Sequence, residues 1–201
     1  MREIILDTET TGLSPAHGDR MVEIACVELI NHLPTGRVYH KYLNPEREVS
    51  KEAYAVHGLD YRFLKDHPLF SEISQEFLEF ISNSPLVIHN ADFDMKFLNA
   101  ELGKRLENPV VDTLPMARKK FPGSPASLDA LCRRFQIDNK DRTLHGALID
   151  CHLLSAVYLE LKGGRQAGFA LSSETQPQQN VEDILSLYKD KVFRKPRNFS
   201  V

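Results

Sequence analysis

Asp7, Glu9, Asp94, His145 and Asp150 are the residues in this sequence whose types and spacing suit cation-assisted acid–base chemistry. Asp7 and Glu9 end the apolar run REIIL at 2–6 and stand two residues apart, so both project to one face if the chain is extended. Two carboxylates side by side at the end of a buried strand repel each other, and a divalent cation offsets that repulsion directly. A solvated strand end explains D-x-E alone equally well, but D-T-E-T-T-G at 7–12 is a far more specific pattern. Asp94 falls in HNADFDMKFL, at the start of a helix that follows a short strand. Such junctions in open α/β sheets commonly carry ligand groups. The macrodipole of a helix also favours an acid at its start, and Asp92 competes for the same role.

Asp150 has the strongest physical case. It lies three residues after Ala147 and four before Leu154, within the apolar stripe of a helix. A carboxylate on a core-facing stripe costs several kcal/mol unless it is paired. A metal supplies that pairing, and so does an Arg or Lys at a helix rim. His145 precedes Asp150 by five residues, a rotation of roughly 140° on an ideal helix, so the two cannot share a helical face. His145 is therefore placed on the loop before the helix, with Gly146 as a flexible junction. An imidazole titrates near neutral pH and can serve as a general base. A lone histidine is more often structural; the company of four acids singles this one out.

Several elements must position these residues. Strands are expected at 2–6, 21–30, 37–43, 86–89 and 110–112, from short apolar runs bounded by turn formers. TGLSPAHGD at 11–19 reads as a loop, and NHLPTG as a hairpin connection. Phe70, Ile73, Phe77, Leu78 and Ile81 are spaced as one helical face over 70–82. Helices are also expected over 93–102 and 126–135, the latter with Ser127 as N-cap. In the helix after His145, Ala147, Cys151, Leu154, Val157, Tyr158 and Leu161 form one stripe, and Gly163-Gly164 ends it.

The 201 residues suit one sizeable domain and a tail, with 42% hydrophobic and 26% charged residues. A net charge of −3 excludes general polyanion binding by charge alone, so any nucleic-acid role must rest on local residues or bound cations. No segment approaches the roughly 18 consecutive apolar residues of a membrane span. MREIILDTET has no secretory core, and Cys26, Cys132 and Cys151 lack paired spacing. Reduced core thiols in a cytoplasmic protein are the expectation.

DTETTG at 7–12, HNADFD at 89–94 and HGALID at 145–150 together resemble the three exonuclease motifs of the DEDDh family. The pattern N-A-x-F-D selects Asp94 over Asp92. AYAVHGL at 53–59, ARKKFPG at 117–123, SLDALCRRFQIDN at 127–139 and RTLHGAL at 142–148 resemble its replicative proofreading branch. The resemblance implies an α/β, ribonuclease-H-like mixed β-sheet flanked by helices, and a 3′→5′ exonuclease domain over residues 1–164. It implies Asp7, Glu9, Asp94 and Asp150 as metal ligands and His145 as base. It also implies that Glu52 and His57 help hold the terminal nucleotide, beside Asp7, Glu9 and Asp150. On residues alone, Glu52 reads equally as an exposed helix acid and His57 as a turn histidine. Four carboxylates without a cysteine suit Mg²⁺ or Mn²⁺ rather than zinc. Two ions about 3.5–4 Å apart would bind the attacking and leaving oxygens of an in-line displacement.

After Gly164 the composition turns polar and Gln/Ser-rich, so residues 165–201 read as a flexible C-terminal tail. Gln166-Ala167-Gly168-Phe169-Ala170-Leu171 is similar to a sliding-clamp peptide, Q-x-x-Φ-x-Φ; a linker with two incidental hydrophobes is the plainer reading. Val181, Ile184, Leu185 and Tyr188 form a short amphipathic patch, which by analogy would contact a polymerase catalytic subunit. The implied substrate is a single-stranded or frayed DNA 3′ end. An RNA-trimming exonuclease would share every one of these catalytic residues. A non-catalytic scaffold would not need all five filled.

Overall fold

A computed structural model of the chain describes residues 1–139 and 144–163. The clamp-like segment Gln166–Leu171, the patch at 181–188 and the rest of the proposed tail lie outside the described residues. Five strands form one mixed sheet in the order β3-β2-β1-β4-β5, with helices on both faces. The central strand β1 (Arg2–Thr10) pairs antiparallel with β2 (Met21–Ile30), which pairs antiparallel with β3 (Leu33–Tyr42). On its other edge β1 pairs parallel with β4 (Leu86–Ile88), and β4 with β5 (Val110–Asp112).

A strand with neighbours on both edges and helices on both faces must be apolar on both faces, as the run Ile4-Ile5-Leu6 is. Ile4 and Leu6 pack with Phe70, Phe77 and Phe97, from α3 (Phe70–Ile81) and α4 (Ala91–Leu102). Ile5 packs on the opposite face with Leu131, Cys151, Leu154 and Val157, from α6 (Leu128–Phe135) and α7 (Ala147–Leu161). Because successive side chains alternate, Asp7 and Glu9 continue the face of Ile5, toward α7, while Thr8 continues the face of Leu6, toward α4. The strand runs four residues beyond the REIIL segment, so the acidic pair lies inside it.

Other elements also differ from the sequence expectation. The β2–β3 hairpin closes through Asn31 and His32 alone, both left-handed at φ 52° and 68°, so Leu33–Gly36 belong to β3 rather than to the connection. Two positive-φ residues make the tight turn whose twist matches paired strands. The Thr35 hydroxyl then donates to Glu28 Oε2 at 2.8 Å, holding the early part of β3. Helices α1 (Lys51–His57), α2 (Tyr61–Leu64) and α5 (Thr113–Lys120) are not expected from the sequence; α1 buries only His57, α2 only Leu64, and α5 only Thr113 and Ala117, too few positions to register as a stripe.

Helix α7 is buried on all sides, with every side chain from Asp150 to Tyr158 inside, so its single apolar stripe is only part of a wider contact surface. Ser127 caps α6 by accepting from the Ala130 amide, and Gly163 ends the last turn at φ 91°. Cys26, Cys132 and Cys151 are buried free thiols. Among the described residues no helix is long and apolar enough to cross a membrane.

Candidate active site

The end of β1 places Asp7 and Glu9 on the sheet face that α7 covers. Glu9 is 9% exposed and sits in register opposite Glu23 of β2, with a bulge between Glu9 and Thr10. On the other face, Asp94 lies in the first turn of α4 at 3% exposure, whereas Asp92 is exposed. The Thr8 hydroxyl donates to Asp94 Oδ1 at 2.7 Å, tying the helix to the strand. Asp112, at the end of β5, holds the starts of two helices. Its carboxylate accepts from the amides of Asn90 (3.0 Å), Ala91 (3.1 Å) and Leu114 (2.9 Å).

His145 lies on the segment before α7, and Gly146 is the N-cap. The His145 amide donates to the Val56 carbonyl at 3.0 Å, pinning that segment to α1 (Lys51–His57). The Ala147 amide donates to Glu23 Oε2 at 3.2 Å. His145 Nδ1 is 3.5 Å from Asp150 Oδ2, and Asp150 is 4% exposed. Ligand atoms of Glu9, His145 and Asp150 all lie within 4.8 Å of one another, a group able to hold a metal ion. The structure therefore draws His145 into the acidic group itself. It sets Asp94 behind, against Thr8.

Helix α1 walls the site. Ser50 caps it through the Ala53 amide, and Gly58 ends it at φ 72°. His57 is buried, and both ring nitrogens are engaged. Nδ1 accepts from the Leu59 amide at 3.1 Å, which leaves Nε2–H to donate to the Thr10 carbonyl at 3.1 Å. Burial lowers its pKa, and the two hydrogen bonds select this one neutral tautomer. His57 thus ties α1 to the end of β1. Glu52, His57, Asp7, Glu9, His145 and Asp150 all line one open cleft of about 730 Å³. Leu13 and Arg118 line it too, and Leu13 is 85% exposed.

Electrostatically the site is crowded with acids. Burial raises the pKa of Asp7 well above the carboxylate range, and Asp94, Asp150, Glu9 and Glu23 raise it further. Burial pushes Asp94 up to about 7, against the hydrogen bond from Thr8, which acts to lower it. A raised folded-state pKa means a stabilising contribution that is complete below the unfolded value of about 4 and lost as pH rises through about 7. Asp94→Asn keeps an acceptor for Thr8 and removes the charge. It should leave the metal-free protein unchanged at pH 4 and stabilise it at pH 8, by an amount on the order of a few kcal/mol. Equal melting temperatures for both proteins at pH 8 would contradict this account.

The residues not anticipated from sequence are Thr8, Glu23 and Asp112. Each is a polar residue inside or beside an apolar strand, which is the signal that marks it. MVEIACVELI carries two glutamates among apolar neighbours, and Glu23 is 3% exposed.

The exonuclease family's model matches residues 4–158, and the chain belongs to that family. Within it, the sequence is similar to DNA polymerase III subunit epsilon from several bacteria. It is 54% identical to that of Rickettsia felis over 189 residues, covering 90% of this chain and 82% of the relative. It is 47% identical to that of Escherichia coli K12 over 196 residues, covering 91% and 81%. Among solved structures it resembles exonuclease X in complex with 5′ overhanging duplex DNA, with a TM-score of 0.66 and 26% identity, covering 83% of this chain and 93% of that one. It shares its fold with E. coli exonuclease I in complex with a dA16 oligonucleotide, with a TM-score of 0.69 at 17% identity, covering 83% and 42%.

Proposed function

We propose that this chain is the 3′→5′ proofreading exonuclease of a bacterial DNA polymerase III, releasing 5′-monophosphates from a DNA 3′ end in the cytoplasm. The observation that carries this reading is the convergence of buried carboxylates on a cleft with His145 among them, in a chain similar to the epsilon subunits over nearly all its length. Asp7, Glu9, Asp94 and Asp150 would hold two Mg²⁺ or Mn²⁺ ions; their all-oxygen donor set suits hard cations. When bound, such ions stabilise the attacking and leaving oxygens of an in-line displacement.

The chain's own groups do the rest. His145 accepts a proton from water as the water oxygen bonds to the terminal phosphorus. The bond from phosphorus to the 3′ oxygen of the preceding nucleotide breaks, and that oxygen takes up a proton. Glu52 and His57, on the α1 wall, would hold the terminal nucleotide together with Asp7, Glu9 and Asp150. Leu13, an apolar side chain exposed beside the cleft, suits contact with an unstacked base.

Residues 1–164 would be the catalytic domain. The tail at 165–201 would reach the polymerase catalytic subunit through the patch at 181–188, and the sliding clamp through Gln166–Leu171.

A mispaired terminus costs less to unpair than a matched one, so selectivity needs no base-specific contact. The isolated protein with Mg²⁺ should release 5′-monophosphates from single strands and mispaired DNA ends faster than from matched ends, and release none after chelation. Equal rates on matched and mispaired ends would refute proofreading selectivity. Faster turnover of RNA oligomers than of matched DNA oligomers would indicate an RNA-trimming enzyme instead.

A further inference from the structure

We propose that Glu23 is a positioning residue for His145, an inference that rests on the exonuclease reading of the site. Glu23 is a buried carboxylate in the apolar strand β2, and burying such a group is costly unless both oxygens find partners. They do. Oε1 pairs with His40 Nε2 at 2.7 Å, and Oε2 accepts from the Ala147 amide at 3.2 Å.

Ala147 is the first residue of α7, two after His145 and three before Asp150. Amides in the first turn of a helix have no partner within the helix. The N-cap here is Gly146, which has no side chain to supply one. A carboxylate from the neighbouring strand does so instead, and its charge suits the positive end of the helix dipole. The carboxylate lies beside the N-cap itself: a Cβ built at Gly146 would sit 4.0 Å from Glu23 Oε2, in ordinary contact. On the other side of Gly146, the His145 amide is held by the Val56 carbonyl. The base is therefore located by two hydrogen bonds that bracket the N-cap, one to α1 and one to β2. Glu23 lies in register with Glu9, so the same pair of strands locates the base and one of the acids it serves.

Steady-state kinetics on a mispaired oligonucleotide with Mg²⁺, well below the melting temperature, test this on the full chain. Glu23→Gln keeps an acceptor for the Ala147 amide and should retain kcat within about threefold. Glu23→Met keeps the volume without the acceptor and should lose about tenfold or more in kcat at nearly unchanged KM, as small misplacement of a catalytic group does. Ala147→Pro removes the same hydrogen bond from the donor side, at a helix position where proline is well tolerated and after a residue already extended. It should show the same loss, and the double variant should be no worse than either single one. Wild-type kcat in Glu23→Met, or additive losses in the double variant, would overturn the proposal. A wild-type protein without Mg²⁺-dependent hydrolysis would instead overturn the exonuclease reading itself.

Discussion

Asp7→Ala should abolish Mn²⁺ binding and hydrolysis together, while leaving the metal-free protein as stable as before or more so at pH 8. The argument starts from where Asp7 stands. It follows an apolar run on the central strand, facing α7, with Glu9 two residues on and three further carboxylates close enough to raise its pKa. Burial and these neighbours all disfavour the charged form. Its folded-state pKa is raised, so its stabilising contribution is complete below about pH 4 and is lost as pH rises through the folded value. Removing the side chain at pH 8 removes an electrostatic cost to folding and, on the proposed mechanism, an oxygen donor to the cation. Loss of binding with gain of stability is a pairing that simple structural damage does not produce. Calorimetric titration with Mn²⁺ and thermal melts at pH 8 check it; undiminished Mn²⁺ binding would rule Asp7 out as a ligand.

His145→Ala should separate binding from turnover. The imidazole is about half-exposed at the cleft, with Nδ1 3.5 Å from Asp150 Oδ2. Its removal leaves all four acids in place. Mn²⁺ affinity should stay within a few-fold of wild type, while kcat falls about 10²–10⁴-fold, the usual contribution of a general base. The geometry admits a rival role, because His145 belongs to the group whose ligand atoms lie within 4.8 Å of one another. A large fall in Mn²⁺ affinity alongside the rate would make His145 a ligand. Near-normal turnover would exclude it from both roles.

Much of this site can be read from the chain alone, for a physical reason. Asp7 and Glu9 stand at period two directly after an apolar run, and Asp150 interrupts an apolar helical stripe; charges out of pattern are conspicuous. His145 is assigned to a loop by its angle to Asp150 and is found just before α7. The sheet follows from its apolar runs, and the turn residues between them delimit β2 and β5 at their observed bounds and α3 to within one residue. What stays hidden depends on partners distant in sequence. Glu23 is 124 residues from the amide it holds, and Thr8 is 86 from Asp94. The bond from His57 to the Thr10 carbonyl, 47 residues away, and that from the Ala91 amide to Asp112, 21 residues away, likewise exist only once the chain has folded. Helix α5 escapes because Thr113 and Ala117 bury too little apolar surface to leave a period.

The central placement of β1 has an operational consequence. Asp7 and Glu9 are built into the central strand, which is paired with β2 from Arg2 to Thr10 and belongs to the part of an α/β protein that opens last. His145 instead rides on a short stretch attached at Val56 and, one residue past Gly146, at Glu23. Warming or dilute denaturant should detach this half of the machinery while the sheet persists, so inactivation precedes unfolding. The fidelity such an enzyme confers would then fail at a milder stress than the protein itself.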